Sequence, residues 1–97
     1  MREVREVNEQ ELKEVIESEP KVLVDFYSAG CAPCRVLGTI LEKLETEYEV
    51  VKAEVTDSLA GEYGISSVPH AVVLNDGKKV NEFTGLQPKS KIEAMLV

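Results

Sequence analysis

The chain has 97 residues, 43% of them hydrophobic and 30% charged, with 18 acidic against 11 basic side chains and a formal net charge of -7. That is enough chain for one folded domain with its own core, and the composition excludes a disordered tail. The negative field repels phosphate backbones and anionic membrane surfaces, and no apolar run has the length of a signal peptide or membrane span, so we expect no nucleic-acid partner, no membrane partner and a cytoplasmic location.

Arg2 to Val7 alternate charge with Val, the pattern of a short half-exposed edge strand. Asn8 with Glu11 three residues on is a capping box, and Val7 with Leu12 forms the hydrophobic staple around it. The helix opened there runs to about Ser18, with Leu12, Val15 and Ile16 on its buried stripe, and stops before Pro20. Val22 to Tyr27, V-L-V-D-F-Y, is apolar on both faces as a central strand should be, and Asp25 is the misfit in it.

Beyond the cysteines, Cys34, Leu37, Leu41, Leu44 and Tyr48 recur at helical spacing and predict a helix from near Cys31 to about Glu49. Val50 to Val55 reads as a strand, and Ser58 to Tyr63 as a short helix closed by Gly64. Ala71 to Leu74 and Lys79 to Thr84 flank N-D-G-K, a hairpin signal. Pro88 opens a last helix at its first position, with Ile92, Met95 and Leu96 facing inward. The order β-α-β-α-β-α-β-β-α predicts a single α/β domain over residues 1–97, three layers with a central mixed sheet of four to five strands.

The only two cysteines stand three positions apart in Y-S-A-G-C-A-P-C-R, between the apolar strand and the long helix. Placed at the first turn of that helix, Cys31 meets unpaired N–H groups and the positive end of the helix dipole, which favour a thiolate. Cys34, on the same helical face, lies within disulfide range, so the pair can close and reopen with little backbone movement. Pro33 suits the first turn, where a missing N–H costs nothing. A structural disulfide is the alternative in a secreted chain, and a closed zinc site would need ligands beyond two Cys and one His.

V-D-F-Y-S-A-G-C-A-P-C-R resembles the active-site segment of the thioredoxin family, and the likeness continues through K-A-E-V, Y-G-I-S-S-V-P, N-D-G-K and F-T-G-L over nearly the whole chain. The resemblance implies the thioredoxin fold and a thiol–disulfide oxidoreductase that reduces protein disulfides and is itself reduced by a thioredoxin reductase or another reductase. It implies no cofactor beyond the redox-active Cys31–Cys34 pair and no metal, and we expect a monomer. By the same resemblance Cys31 attacks the substrate disulfide and Cys34 resolves the mixed disulfide. Asp25 matches the buried aspartate that assists proton removal from the second cysteine, and Lys52 the lysine that accompanies it. Pro69 matches the cis-proline facing the sulfurs, Val68 the residue whose backbone pairs with substrate, and Gly85 the glycine that leaves room beside the groove.

Gly30 and Ala32 depart from the family pattern, in which a tryptophan precedes the first cysteine and a glycine follows it. The chain has no Trp, so a flat aromatic contact is lost beside the nucleophile, and Ala32 sits in the dipeptide that tunes the potential. Thr39 replaces the proline that kinks the long helix, and its hydroxyl can bond back to an upstream carbonyl. His70, the sole histidine, follows Pro69; it is either a packing residue or a charge that stabilises the Cys31 thiolate. Asp25 could instead be a structural acid satisfied by Lys52, an ion pair with no catalytic part. Three other activities remain open: a non-catalytic interaction module, an electron donor dedicated to one partner enzyme, and a glutaredoxin-like protein, although the Gly-Gly-x-Asp element of glutaredoxins does not follow Pro69.

Overall fold

The computed structural model describes residues 1–96. Its elements are β1 (Arg5–Glu6), α1 (Glu9–Ser18), β2 (Lys21–Tyr27), α2 (Ala32–Leu41), β3 (Glu49–Glu54), α3 (Asp57–Tyr63), β4 (His70–Asn75), β5 (Lys78–Thr84) and α4 (Lys89–Ala94). The five strands form one sheet in the order β1-β3-β2-β4-β5. The β1–β3 and β2–β3 pairs are parallel, and the β2–β4 and β4–β5 pairs antiparallel.

Alternation along β2 decides which side chains meet which helices. Val22, Val24 and Phe26 point to one face, where Leu12 and Val15 of α1 and Leu59 of α3 cover them. Leu23 points to the other, packed with Leu37 and Leu41 of α2 and Ile92 of α4. Both faces of β2 are therefore dry, and each aliphatic side chain so buried contributes about 1.5–3 kcal/mol. Asp25, two residues on from Leu23, shares its face, so its carboxyl lies on the α2 side of the sheet.

Local signals set most element ends. The Asn8 side chain accepts the Glu11 N–H at 2.8 Å and the Glu11 carboxylate accepts the Asn8 N–H at 3.0 Å, closing the capping box, with Val7 and Leu12 buried beside it. Asn8→Ala removes one half of that exchange and should cost about 1 kcal/mol, read as a lower urea midpoint at unchanged slope. Asp76 and Gly77 both take positive φ, 50° and 80°, which turns the β4–β5 hairpin with the twist its strands require. Gly64 ends α3 in the left-handed conformation.

Three sequence expectations need correction. The edge strand is only Arg5–Glu6, because Arg2 is drawn off to the loop after α2: its N–H bonds the Glu42 carbonyl, and its guanidinium bonds the carbonyls of Leu44, Thr46 and Tyr48. That loop explains the second. The helix ends at Leu41 rather than near Glu49, closing through i→i−3 bonds from Lys43 and Leu44, and the Arg2 fork holds carbonyls that a continuing helix would have used internally. Leu44 and Tyr48 are buried as expected, but from a loop. Pro88 is the residue before α4 rather than its first, with an extended ψ of 151°.

Candidate active site

The site begins where β2 runs out of partners. Ser28 to Gly30 leave the sheet, Gly30 turns the chain at φ +76°, and Cys31 follows as the N-cap of α2. A side chain at position 30 would be strained by that φ, although nothing stands within 4 Å of where its Cβ would lie. The Cys31 Sγ takes the place of a capping oxygen and accepts the N–H of Cys34 at 3.2 Å. Ala32 opens the ten-residue helix and Pro33 occupies its second position, where the missing N–H has no intrahelical partner to lose.

The sulfurs are joined as a disulfide with the Cα atoms 5.2 Å apart. They differ in access: Cys31 is partly exposed, whereas Cys34 is 5% exposed. An incoming group reaches one sulfur and not the other.

Beside them lies a cleft of about 370 Å³, bounded by Cys31, Cys34, Arg35, Gly38 and Glu42 on the α2 side and by Asp25, Tyr27 and Lys52 on the sheet side. Asp25 is 1% exposed, and its Oδ1 has no hydrogen-bond partner. Burial raises its pKa from 3.8 to about 7, against an opposing pull from Lys52 and with a further push from Glu6. Lys52 pairs in register with Asp25, yet no ion pair within 4 Å joins them among the described residues, so the structural-pair reading is not what the fold builds.

The Val68–Pro69 peptide, just ahead of β4, is cis. Pro69 is buried, Val68 lies partly exposed outside any strand, and the Pro69 carbonyl accepts the N–H of Gly85 at 2.8 Å. Gly85 takes φ +80°. His70 is placed differently from its charge-stabilising reading. It pairs in register with Phe26 and lies on that side of the sheet, its Nδ1 2.8 Å from Thr84 Oγ1 and its Nε2 2.9 Å from Glu82 Oε1, and it does not line the cleft. Glu82 in turn meets Lys79, and these two partners, Lys79 first, hold its carboxyl below the usual range. Thr39 makes the expected back-bond to the Arg35 carbonyl at 3.2 Å, two residues before α2 ends.

The thioredoxin family model matches residues 3–97. The chain belongs to the thioredoxin family. A thioredoxin of Chlorobaculum thiosulfatiphilum is 38% identical over 85 residues, 81% of this chain and 79% of that protein. One from Mycoplasmoides gallisepticum is 33% identical over 94 residues, covering 92% and 94%. Among solved structures, a mutant thioredoxin from Halobacterium salinarum superposes with a TM-score of 0.86 at 32% identity, covering 95% of this chain and 88% of its own.

The expected thioredoxin fold is thus present, five strands and four helices in the expected order. The protein is a thioredoxin-type thiol–disulfide oxidoreductase, a protein-disulfide reductase whose electron carrier is the Cys31–Cys34 pair. Family membership implies protein disulfides as substrates and a reductase as electron source. Among the described residues, no helix is long and apolar enough to cross a membrane, and no three His, Cys, Asp or Glu side chains gather as a metal site.

Sequence reasoning missed Tyr27, Arg35 and Glu42 as neighbours of the reactive pair, and Glu6 as a charge acting on Asp25. Arg35 and Glu42 carried a usable signal, since they lie one and eight residues after Cys34 on the same helix and its end. Glu6 carried none until the pairing of β1 with β3 was known.

Proposed function

We propose that Cys31 is the attacking sulfur, Cys34 the resolving one, and Asp25 the proton acceptor of the resolving step. The observation that carries this reading is the unequal access of the two sulfurs at the start of α2. The Cys31 thiolate attacks one sulfur of a substrate disulfide; a Cys31–substrate bond forms, the substrate S–S bond breaks, and the other substrate sulfur leaves as a thiolate. Cys34 then gives its proton to Asp25 and attacks the Cys31 Sγ. The Cys31–substrate bond breaks, the second substrate sulfur leaves, and two electrons have passed from protein to substrate.

Pro33 holds the turn between the sulfurs, and Lys52 lends positive charge beside Asp25. Gly30, Ala32, Val68 and Gly85 form the low surface around Cys31, with the Val68 backbone offered to an extended substrate strand beside cis-Pro69. His70, next to cis-Pro69 in sequence, faces the other side of the sheet and, through Thr84 and Glu82, ties β4 to β5. The working location is a reducing compartment, the cytoplasm, where the dithiol state is maintained.

Insulin-disulfide reduction with dithiothreitol as electron source tests the function. Catalysis above background is expected of the wild-type protein, and background alone of the Cys31→Ser/Cys34→Ser double variant. If the double variant still supported a partner enzyme in full, the protein would be an interaction module instead.

A further inference from the structure

Three strands bring a row of charges to one level of the sheet. Glu6 of β1 pairs in register with Lys52 of β3, and Lys52 with Asp25 of β2. Residues directly opposite one another point to the same face, so all three side chains lie on the α2 side, where the cleft beside Cys34 is. The lysine stands between two acids and is within ion-pair distance of neither.

Glu6 is held in that row by a bond the reaction does not use. The Tyr27 hydroxyl donates to the Glu6 carboxylate, joining the last residue of β1 to the last residue of β2. This bond, ahead of burial and neighbouring acids, pushes the Tyr27 pKa up to about 12, so the hydroxyl keeps its proton and remains a donor throughout the working pH range. The titratable and charged groups around Asp25 are Tyr27 on β2, Glu6 on β1, Lys52 and Glu54 on β3, Cys34 and Arg35 on α2, and Cys31 and Glu42 at its two ends; β4 presents only Ala71 at this level. Of the carboxylates in this set, Glu6 is the one both fixed by a hydrogen bond and aligned with Lys52.

We propose that Glu6 is a positioning residue for the resolving step: latched by Tyr27, its carboxylate competes with Asp25 for the charge of Lys52 and leaves Asp25 free to take the proton of Cys34. The inference rests on the proposed role of Asp25. A fixed negative charge two strands away, roughly 10 Å, repels a second one and at the same time offsets part of the field of the lysine that would otherwise hold Asp25 ionised. Glu6 thereby keeps Asp25 a proton acceptor matched to neutral pH rather than a spectator anion.

The test is carboxyl-carbon NMR titration of Asp25 in the oxidised protein, which does not depend on activity. Glu6→Gln should lower the Asp25 midpoint by about half a unit to one unit. Tyr27→Phe, which frees Glu6 without removing its charge, should lower it by less. Glu49→Gln removes an equal charge at the far end of β3 and should leave it nearly unmoved. The pH at which the resolving rate is half-maximal should fall with the Glu6→Gln midpoint. A Glu6→Gln shift no larger than that of Glu49→Gln, an upward shift, or an unmoved rate profile would overturn the proposal. Failure of the proposed reaction itself would show separately, as background insulin reduction with these titration shifts intact.

Discussion

Cys34→Ser should accumulate a stable mixed disulfide between Cys31 and a protein substrate, whereas Cys31→Ser should accumulate none, with steady-state insulin reduction at background in both. The expectation follows from unequal access. Cys31 is partly exposed at the N-cap of α2, where unpaired N–H groups and the helix dipole stabilise a thiolate, so attack does not need Cys34. Resolution does need it, because with Cα atoms 5.2 Å apart Cys34 is the thiol placed to displace the substrate from Cys31. In Cys31→Ser the remaining thiol is buried on the inner face of α2 and meets no substrate. Non-reducing gels with alkylated insulin chains distinguish the two variants; adducts formed equally by both would reverse or erase the assignment.

Asp25→Asn should make the protein markedly more stable at pH 8 and leave stability at pH 4 nearly unchanged. Asp25 has a folded pKa of about 7 against 3.8 for its ordinary value, so between those limits the folded chain holds a proton that the unfolded chain has released. Stability therefore falls as pH rises from about 4 to about 7 and is flat beyond, and with 1.36 kcal/mol per unit the full loss is roughly 4 kcal/mol. Asparagine has nearly the same shape and no charge to desolvate, so the loss disappears. Urea midpoints of the two proteins across pH 4–9 check this, and parallel curves would show that Asp25 is not the buried, unpartnered acid seen here. The same substitution should slow the resolving step by up to about 10²-fold at neutral pH, because the proton of Cys34 loses its acceptor. Stability and activity then move in opposite directions from one residue, which a purely structural acid would not produce.

Where a few neighbouring residues decide the backbone, the sequence was legible. The capping box at Asn8 and Glu11, the Asp76-Gly77 turn and the Gly64 stop each act over one turn of chain, and each formed where expected. The C-x-P-C segment was legible for the same reason, since its strand-to-helix placement alone puts Cys31 at a helix start. The end of α2 was not. Leu44 and Tyr48 fit a helical period because their side chains fill the same core as Leu37 and Leu41, but they reach it from a loop held by Arg2, more than forty residues away in sequence. The Glu6–Tyr27 latch was hidden likewise: it depends on β1 lying beside β3 in one particular register, which alternation in two isolated strands does not reveal. His70 shows the limit of neighbourhood in sequence. One residue from cis-Pro69, it turns to the other face of the sheet and is bound by Thr84 and Glu82.

The most direct measurement is the pH dependence of alkylation in the reduced protein, with each cysteine followed separately by mass spectrometry. Iodoacetamide should modify Cys31 alone at neutral pH, with a rate midpoint well below the roughly 8.5 of a free thiol. Equal, slow modification of both cysteines with midpoints near that free value would contradict the attacking role of Cys31.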